Sequence, residues 1–498
     1  MRRGAGVLMH ISSLPGEFGI GALGDEAYKF VDFIKKAGFT YWQILPLGHT
    51  GYGDSPYQCF TAFAGNPYFI DFDKLKDEGL LNDEEYKLET YYDNRERINY
   101  GLIYNAKYKV LRKAFEHYKN MNNLKEKLKE FKRNNDFWLE DYSLYMALKA
   151  KFNYNSWYNW DTDIKERKPE ALAKYKNELS EEIEYWSFVQ YLFFTQWEKL
   201  KKYANSLDIQ IIGDIPIYVS EDSVDTWSNP NDFEIDKKTL KPKLVAGCPP
   251  DDFSPTGQLW GNTIYDWEYM KGTEYKWWTS RIKQSLKLYD VLRIDHFRGF
   301  ESYWQVPYGE KTAKDGSWGK GPAMNLFDVI KKNLGDIEVI AEDLGYLSEE
   351  AIKFVKETKF PGMRVLQFAF DGSINNNYLP HRYINNCIAY TGTHDNDTCL
   401  GWYEKTGSKN DVKNAEVYLG LNKEEGYNWG LIRGIWSSVA DVAIAQMQDF
   451  LNIGNEGRMN LPSSFGGNWS WRVKKESLTE ELANKISHIN YIYGRMNQ

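Results

Sequence analysis

"VLRIDHFRGF" (Val291–Phe300) joins two things that a strand normally keeps apart. Val291, Leu292 and Ile294 are apolar, whereas Arg293, Asp295, His296 and Arg298 crowd polar and charged groups into the same ten residues. Side chains alternate along a strand, so Arg293 and Asp295 share one face and Leu292 and Ile294 the other. A strand with helices on one side and a barrel interior on the other accommodates both faces. Burying unpaired charge costs several kcal/mol, so the charged face must be paired or functional. Arg293 and Asp295 are therefore either a structural ion pair, or a nucleophile or base, Asp295, held ionised by Arg293.

Seven further apolar runs end as abruptly: "GVLMHISS" (6–13), "YWQILPLG" (41–48), "IQIIGDIP" (209–216), "EVIAEDLG" (338–345), "MRVLQFAF" (363–370), "CIAYTGTHD" (387–395) and "VAIAQMQD" (442–449). Helical patterns lie between many of them. "DEAYKFVDFIKKAG" comes after the first, with Asp25 as its N-cap and Gly38 as its stop, and Ser348 caps "SEEAIKFVKETK". Alternating strands and helices predict an α/β fold with a parallel sheet. Eight runs predict a (β/α)8 TIM barrel, and each polar ending falls on the C-terminal face, where such barrels carry their active sites. A doubly wound sheet is the rival, but its ligand would sit at one switch point rather than across nearly every strand end.

Residues 1–498 thus read as a single catalytic barrel with uneven connections. The excess predicts a helical subdomain at about 80–205, a Pro- and Gly-punctuated loop or lid over the active site at about 225–265, and a small helical insertion at 401–430. The net charge of −8 argues against a nucleic-acid or anionic-membrane partner. The four cysteines (Cys59, Cys248, Cys387, Cys399) form no C-x-x-C and suit a reducing compartment. The N-terminus lacks a cleavage site, and no apolar stretch approaches the roughly 20 residues that cross a bilayer. A soluble, cytoplasmic protein is expected. Aromatic residues reach 16%, which fits either a large aromatic core or flat rings lining a groove for the apolar faces of sugars.

Glu342 and Asp343 stand at the end of the strand after the Asp295 strand, and parity alone does not choose which of them points inward; Asp343 could instead organise the turn. Two carboxyls on neighbouring barrel strands fit retaining glycoside chemistry, which needs them about 5–5.5 Å apart. "YTGTHDNDT" (390–398) reads as an Asx turn, as a sugar-binding pair His394 and Asp395, or as a metal site, although no further His or Cys group completes one. Gly19, Gly21 and Gly24 match G-x-G-x-x-G but stand too far from the strand for a dinucleotide turn, and read as a flexible lip of the pocket. Tyr52, Tyr57 and Trp260 are packing residues or sugar platforms, as is the Trp-bearing "FGGNWSWR" (465–472) with Asn468; Asp214 is a buried hydrogen-bond partner or a ligand contact.

Taken together, "SLPGEFGIGALG", "YWQILPLG", "GYGDSPYQ", "GDIPIYVSEDSVD", "PPDDFSPTGQLWG", "LRIDHFRGF", "AEDLG", "THDND" and "RMNLP…NWSWR", in that order from residue 12 to 472, closely resemble the amylomaltase family of 4-α-glucanotransferases, the disproportionating enzymes. The resemblance implies a (β/α)8 barrel with inserted subdomains, no separate C-terminal β-domain, and no cofactor or metal. It implies that Asp295 is the nucleophile, Glu342 the general acid/base and Asp395 the third carboxylate. It further implies that Arg293, His296 and His394 contact sugar, Tyr57 the donor subsite, Trp260 and its loop the acceptor-side lid, and Tyr52 a second glucan contact. The family commonly has Pro where this chain has Thr263, and Pro-Gly-Thr where it has Pro462-Ser463-Ser464, both in loops over the groove.

The expected reaction is transfer of an α-1,4-glucan segment to the 4-hydroxyl of glucose or a maltooligosaccharide, through a covalent glucosyl–Asp295 ester. An α-amylase-type α-1,4-glucan hydrolase is the alternative, and a catalytically dead glucan-binding protein is disfavoured by the intact carboxylates. A monomer or weak homodimer is expected.

Overall fold

In the computed structural model, which describes residues 1–250, 254–345, 347–464 and 466–496, the eight apolar runs all form strands. In chain order, twelve strands are described: β1 (Gly4–Leu8), β2 (Tyr41–Gln43), β3 (Gln210–Pro216), β4 (Leu244–Cys248), β5 (Gln258–Thr263), β6 (Val291–Asp295), β7 (Ser302–Pro307), β8 (Ser317–Lys320), β9 (Val339–Ala341), β10 (Gly362–Val365), β11 (Cys387–Tyr390) and β12 (Val442–Gln446). Eight of them close a barrel in the order β1-β2-β3-β6-β9-β10-β11-β12, and β12 pairs back onto β1. Every barrel pairing is parallel. Strands covered on both sides read as continuous apolar runs, and all five residues of β1 and of β12 are buried. The fold is a (β/α)8 barrel.

Local sequence sets the helices between strands. Ser348 Oγ accepts the Ala351 N–H and starts helix Glu349–Thr358, as the cap pattern predicts. The first helix, Asp25–Lys36, is displaced by one position from its predicted start: Gly24 occupies the cap and Asp25 lies inside. A Cβ on Gly24 would lie 1.9 Å from Asp71 Oδ2, and one on Gly21 1.8 Å from the Ile11 carbonyl oxygen. The Gly19–Gly24 stretch is thus a site of close packing rather than a flexible lip, because neighbouring backbone and the Asp71 carboxylate occupy the space of a side chain.

Between β2 and β3 the chain forms a run of helices that ends in the 27-residue helix Ser180–Ser206. This helix holds the segment leading out of β2. Gln190 bonds both the N–H and the carbonyl of Gly65, and Gln196 does the same for Asp71. His49 is clasped between the hydroxyls of Tyr142 and Tyr108, each 2.9 Å away, and burial pushes its pKa down to about 3, so the ring is neutral.

The stretch read as a loop at 225–265 contains two strands. β4 and β5 join β7 and β8 in an antiparallel sheet of order β5-β4-β7-β8. The Pro and Gly punctuation hid the β4–β5 pairing, and the other partner of β4, β7, lies on a separate stretch of the chain, after β6. Asp251–Phe253, inside the predicted lid, lie outside the described residues.

The β12–β1 seam is held from the C-terminus. Arg495 is fully buried; its guanidinium donates to the carbonyls of Gly4, Trp436, Ser438 and Ala440 at 2.8–3.1 Å. Burial lowers its pKa to about 9. Arg495→Ala should cost roughly 3 kcal/mol, by removing charge-assisted bonds and orphaning several carbonyls at once. A lower denaturant midpoint whose shift, multiplied by an unchanged slope, gives that loss is the expected measurement; an unshifted midpoint contradicts the role.

Candidate active site

The C-terminal ends of β3, β6, β9 and β11 bring together most of the residues singled out from the sequence. Parallel pairing sets Asp214 of β3 beside Arg293 of β6, and Ile294 of β6 beside Ala341 of β9. The Arg293 guanidinium bridges two carboxylates: Nη1 lies 2.5 Å from Asp214 Oδ2, and Nη2 lies 2.9 Å from Asp295 Oδ1. Arg293 and Asp214 are buried, whereas the Asp295 side chain is 31% exposed and opens to the mouth. Burial disfavours the Arg293 cation, but the two carboxylates outweigh it and hold its pKa well above the ordinary value.

Asp214 has 0% exposure and stands in the structure as a buried hydrogen-bond partner. Its Oδ2 also accepts the Tyr57 hydroxyl at 2.9 Å. The Tyr57 ring in turn stacks on His394 with centroids 5.0 Å apart and planes 19° apart. The charged face of β6, the loop after β2 and the loop after β11 therefore meet through one buried carboxylate.

Glu342 comes directly after β9. Its Oε2 accepts the His296 N–H at 2.7 Å and its Oε1 the Leu344 N–H at 2.9 Å. His296 holds a left-handed backbone (φ 51°, ψ 46°), rare for a residue with a side chain, and so belongs to the turn that aims its N–H at Glu342. Burial is the main cause that pushes the Glu342 carboxyl up, to about 8; the neighbouring Asp295 charge adds to it, and Arg293 and the two N–H bonds oppose it. His296 goes the other way: burial lowers it to about 4, so its ring is neutral near pH 7. Asp343, the other parity choice, is engaged elsewhere. It accepts the Met363 N–H at 2.7 Å and pairs with Arg364 at 3.2 Å, and thus organises the β9–β10 junction.

The third carboxylate, Asp395, is 43% exposed, with Oδ2 3.4 Å from His394 Nε2. Its Oδ1 accepts Asn460 Nδ2 at 2.6 Å. Trp260 on β5 meets His296 edge to face at 4.8 Å and so roofs the turn beside Asp295. Two named residues stand apart from this cluster. Asn468 spends its amide within its own loop, on the Leu461 N–H and Ser464 Oγ. Tyr52 is fully exposed, with a relative accessibility of 108%. Arg458 and Asn460 contact Asp395 or its backbone and were not singled out from the sequence, where only their place in "RMNLP" pointed to them. Among the described residues no group of three or more His, Cys, Asp or Glu is arranged to hold a metal ion.

Two acidic groups with opposed environments, one partly open and paired with a buried cation, the other pushed to the protonated form, suit double displacement at an anomeric carbon. Comparison with known proteins agrees. A profile of the 4-alpha-glucanotransferases matches residues 9–479. The chain is 61% identical over 487 residues to the 4-alpha-glucanotransferase of Clostridium butyricum, covering 98% of this chain and all of that one. It is 46% identical to that of Streptococcus pneumoniae, covering 100% of this chain and 98% of the other. Its structure superimposes on an amylomaltase from Streptococcus agalactiae in complex with acarbose with a TM-score of 0.97 and 44% identity, across the full length of both chains. The chain belongs to the 4-alpha-glucanotransferase family, the amylomaltases, which are retaining transferases.

Proposed function

We propose that Asp295 attacks the anomeric carbon of an α-1,4-glucan while Glu342 protonates the departing glycosidic oxygen. The glucan's reducing-end portion leaves, and the donor segment stays as an ester on Asp295. Glu342, now ionised, takes the proton from the 4-hydroxyl of an incoming glucose or maltooligosaccharide. That oxygen attacks the anomeric carbon, the bond from that carbon to Asp295 breaks, the α-linkage is restored and Asp295 leaves as a carboxylate. Asp395 grips hydroxyls of the sugar as its ring flattens, and His296 and His394 hydrogen-bond the same sugar. Trp260 and the sheet bearing it cover the acceptor side, where a stacked sugar excludes water.

The observation that carries this reading is the placement of Glu342. Its carboxyl hydrogen-bonds the N–H of His296, the residue next to Asp295, in a setting that keeps it protonated at neutral pH. Arg293 supplies the counter-charge for the anionic nucleophile. The four cysteines, two of them buried and none in a disulfide, fit a cytoplasmic enzyme.

Asp295→Asn should lower the disproportionation rate of maltotriose by about 10,000-fold or more, the scale seen when a nucleophile is removed. Binding of the oligosaccharide should stay within about 3-fold. Full activity of Asp295→Asn overturns the nucleophile assignment.

Glu342 gives a pH prediction of defined sign. Glycosyl transfer to the enzyme needs its proton, so that rate should fall as pH rises through about 8. The same raised pKa is a stability term: the stabilisation is full below the ordinary carboxylate range and is lost as pH rises toward about 8. Glu342→Gln should therefore be nearly inactive at every pH, and should melt higher than wild type at pH 8.5 but not at pH 4.5. Equal melting differences at both pH values contradict the shifted carboxyl.

Trp260→Ala should weaken acceptor use by about 10-fold, the scale of a ring contact worth 1–1.5 kcal/mol. It should also raise the release of new reducing ends from maltotriose, where wild type yields glucose and longer oligomers without such a gain. An unchanged ratio of transfer to hydrolysis removes Trp260 from the acceptor side.

A further inference from the structure

We propose that Asn460 and Arg458 are positioning residues for Asp395, acting on the reaction only through that carboxylate. The inference rests on the role proposed for Asp395 as the group that grips sugar hydroxyls. Asp395 stands in the loop after β11 with its side chain 43% exposed, so neither strand nor core fixes its rotamer. What fixes it comes from the strap at 455–460. Asn460 Nδ2 donates to Oδ1 at 2.6 Å, and the other carboxylate oxygen faces His394 Nε2 at 3.4 Å.

The strap also grips the loop backbone. Arg458 Nη2 donates to the Asp395 carbonyl at 2.6 Å, and the Asn460 N–H donates to the His394 carbonyl at 3.1 Å. Arg458 Nε bonds the Asn460 carbonyl at 2.8 Å, so the two residues are tied to each other. Asn455, at the start of the strap, donates to buried Asp397 at 2.7 Å, and Arg458 Nη1 lies 4.0 Å from the same carboxylate. Between the two positioning residues, Met459 is buried, and its carbonyl accepts the Trp469 N–H at 2.7 Å. The strap is therefore anchored in the core, and Asp395 is held against it rather than the reverse.

The choice of an amide has chemical content. An anion that grips sugar hydroxyls must keep one lone-pair direction bound to the protein and leave the rest to the substrate. Asn donates that one bond at every pH. Asp at the same place donates only while it carries a proton, and two carboxyls at hydrogen-bond distance hold one proton between them until the pH rises. The charged and titratable groups that face Asp395 are His394, whose ring nears the carboxylate, Tyr57 of the loop after β2, and Arg458, whose guanidinium binds the Asp395 carbonyl, with Asp397 behind Arg458.

The test compares Asn460→Ala, Asn460→Asp and Asp395→Asn by maltotriose disproportionation from pH 5 to 8, with thermal melting alongside. Asn460→Ala should lose about 100-fold in kcat with KM little changed, the scale that a misplacement of about 1 Å costs, and the loss should be the same at every pH. Asn460→Asp should approach wild-type kcat at pH 5 and fall to the Asn460→Ala level by pH 8. Wild-type kcat in Asn460→Ala, or a pH-independent loss in Asn460→Asp equal to that of Asn460→Ala, overturns the positioning role while Asp395→Asn remains inactive. An active Asp395→Asn overturns instead the reading of Asp395 on which the proposal stands.

Discussion

The active site is organised by one guanidinium. Arg293 is buried in the barrel with a carboxylate on each side, Asp214 toward the interior and Asp295 toward the mouth. A lone buried arginine is costly, and a lone buried aspartate is costly too. Placed together they fix one another, and the second carboxylate can then stand partly in solvent with its direction set. β6 can end in charge because β3 presents Asp214 in register with Arg293. Tyr57 closes the arrangement by donating to the same Asp214 oxygen that Arg293 binds.

The three carboxyl groups of the mouth are held by three different devices. Asp295 is held by a cation, Glu342 by two backbone N–H groups, and Asp395 by an amide on a strap anchored in the core. The devices match the tasks proposed for them. A nucleophile needs a counter-charge. An acid/base needs a setting that favours its proton without locking it, which burial and the Asp295 charge supply to Glu342. A group that grips hydroxyls needs direction and exposure. Around them, the loop carrying Tyr57, proposed to face the donor, is tied to the helical stretch through His49 and Gln190.

The barrel was legible because its strands are covered on both faces, and such strands are written as unbroken apolar runs with an abrupt polar end. The inward face of β6 was legible from alternation alone. The choice of Glu342 over Asp343 was not: adjacent residues differ only by a half-turn, and the resemblance was needed to separate them. The structure shows what alternation could not, that Asp343 is consumed by Met363 and Arg364. The small antiparallel sheet escaped because β4 pairs with β7 across an intervening barrel strand. Asn460 and Arg495 escaped for a related reason. Their partners are carbonyls and a carboxylate far away in sequence, and no local pattern records a contact of that kind. Asp214 was left open between two roles; the structure buries it completely and pairs it with Arg293.

The central claim is that Asp295 itself carries the glucosyl group between donor and acceptor. It is tested most directly by mass mapping of peptides from the Glu342→Gln enzyme, loaded with an activated α-glucosyl donor whose leaving group needs no protonation and quenched in acid. One added hexose is expected on the peptide containing Asp295, kept when maltose is supplied, because no base remains to take its proton, and released by azide, an acceptor that needs none. A hexose on any other residue, or turnover of that donor with no covalent adduct at all, contradicts it.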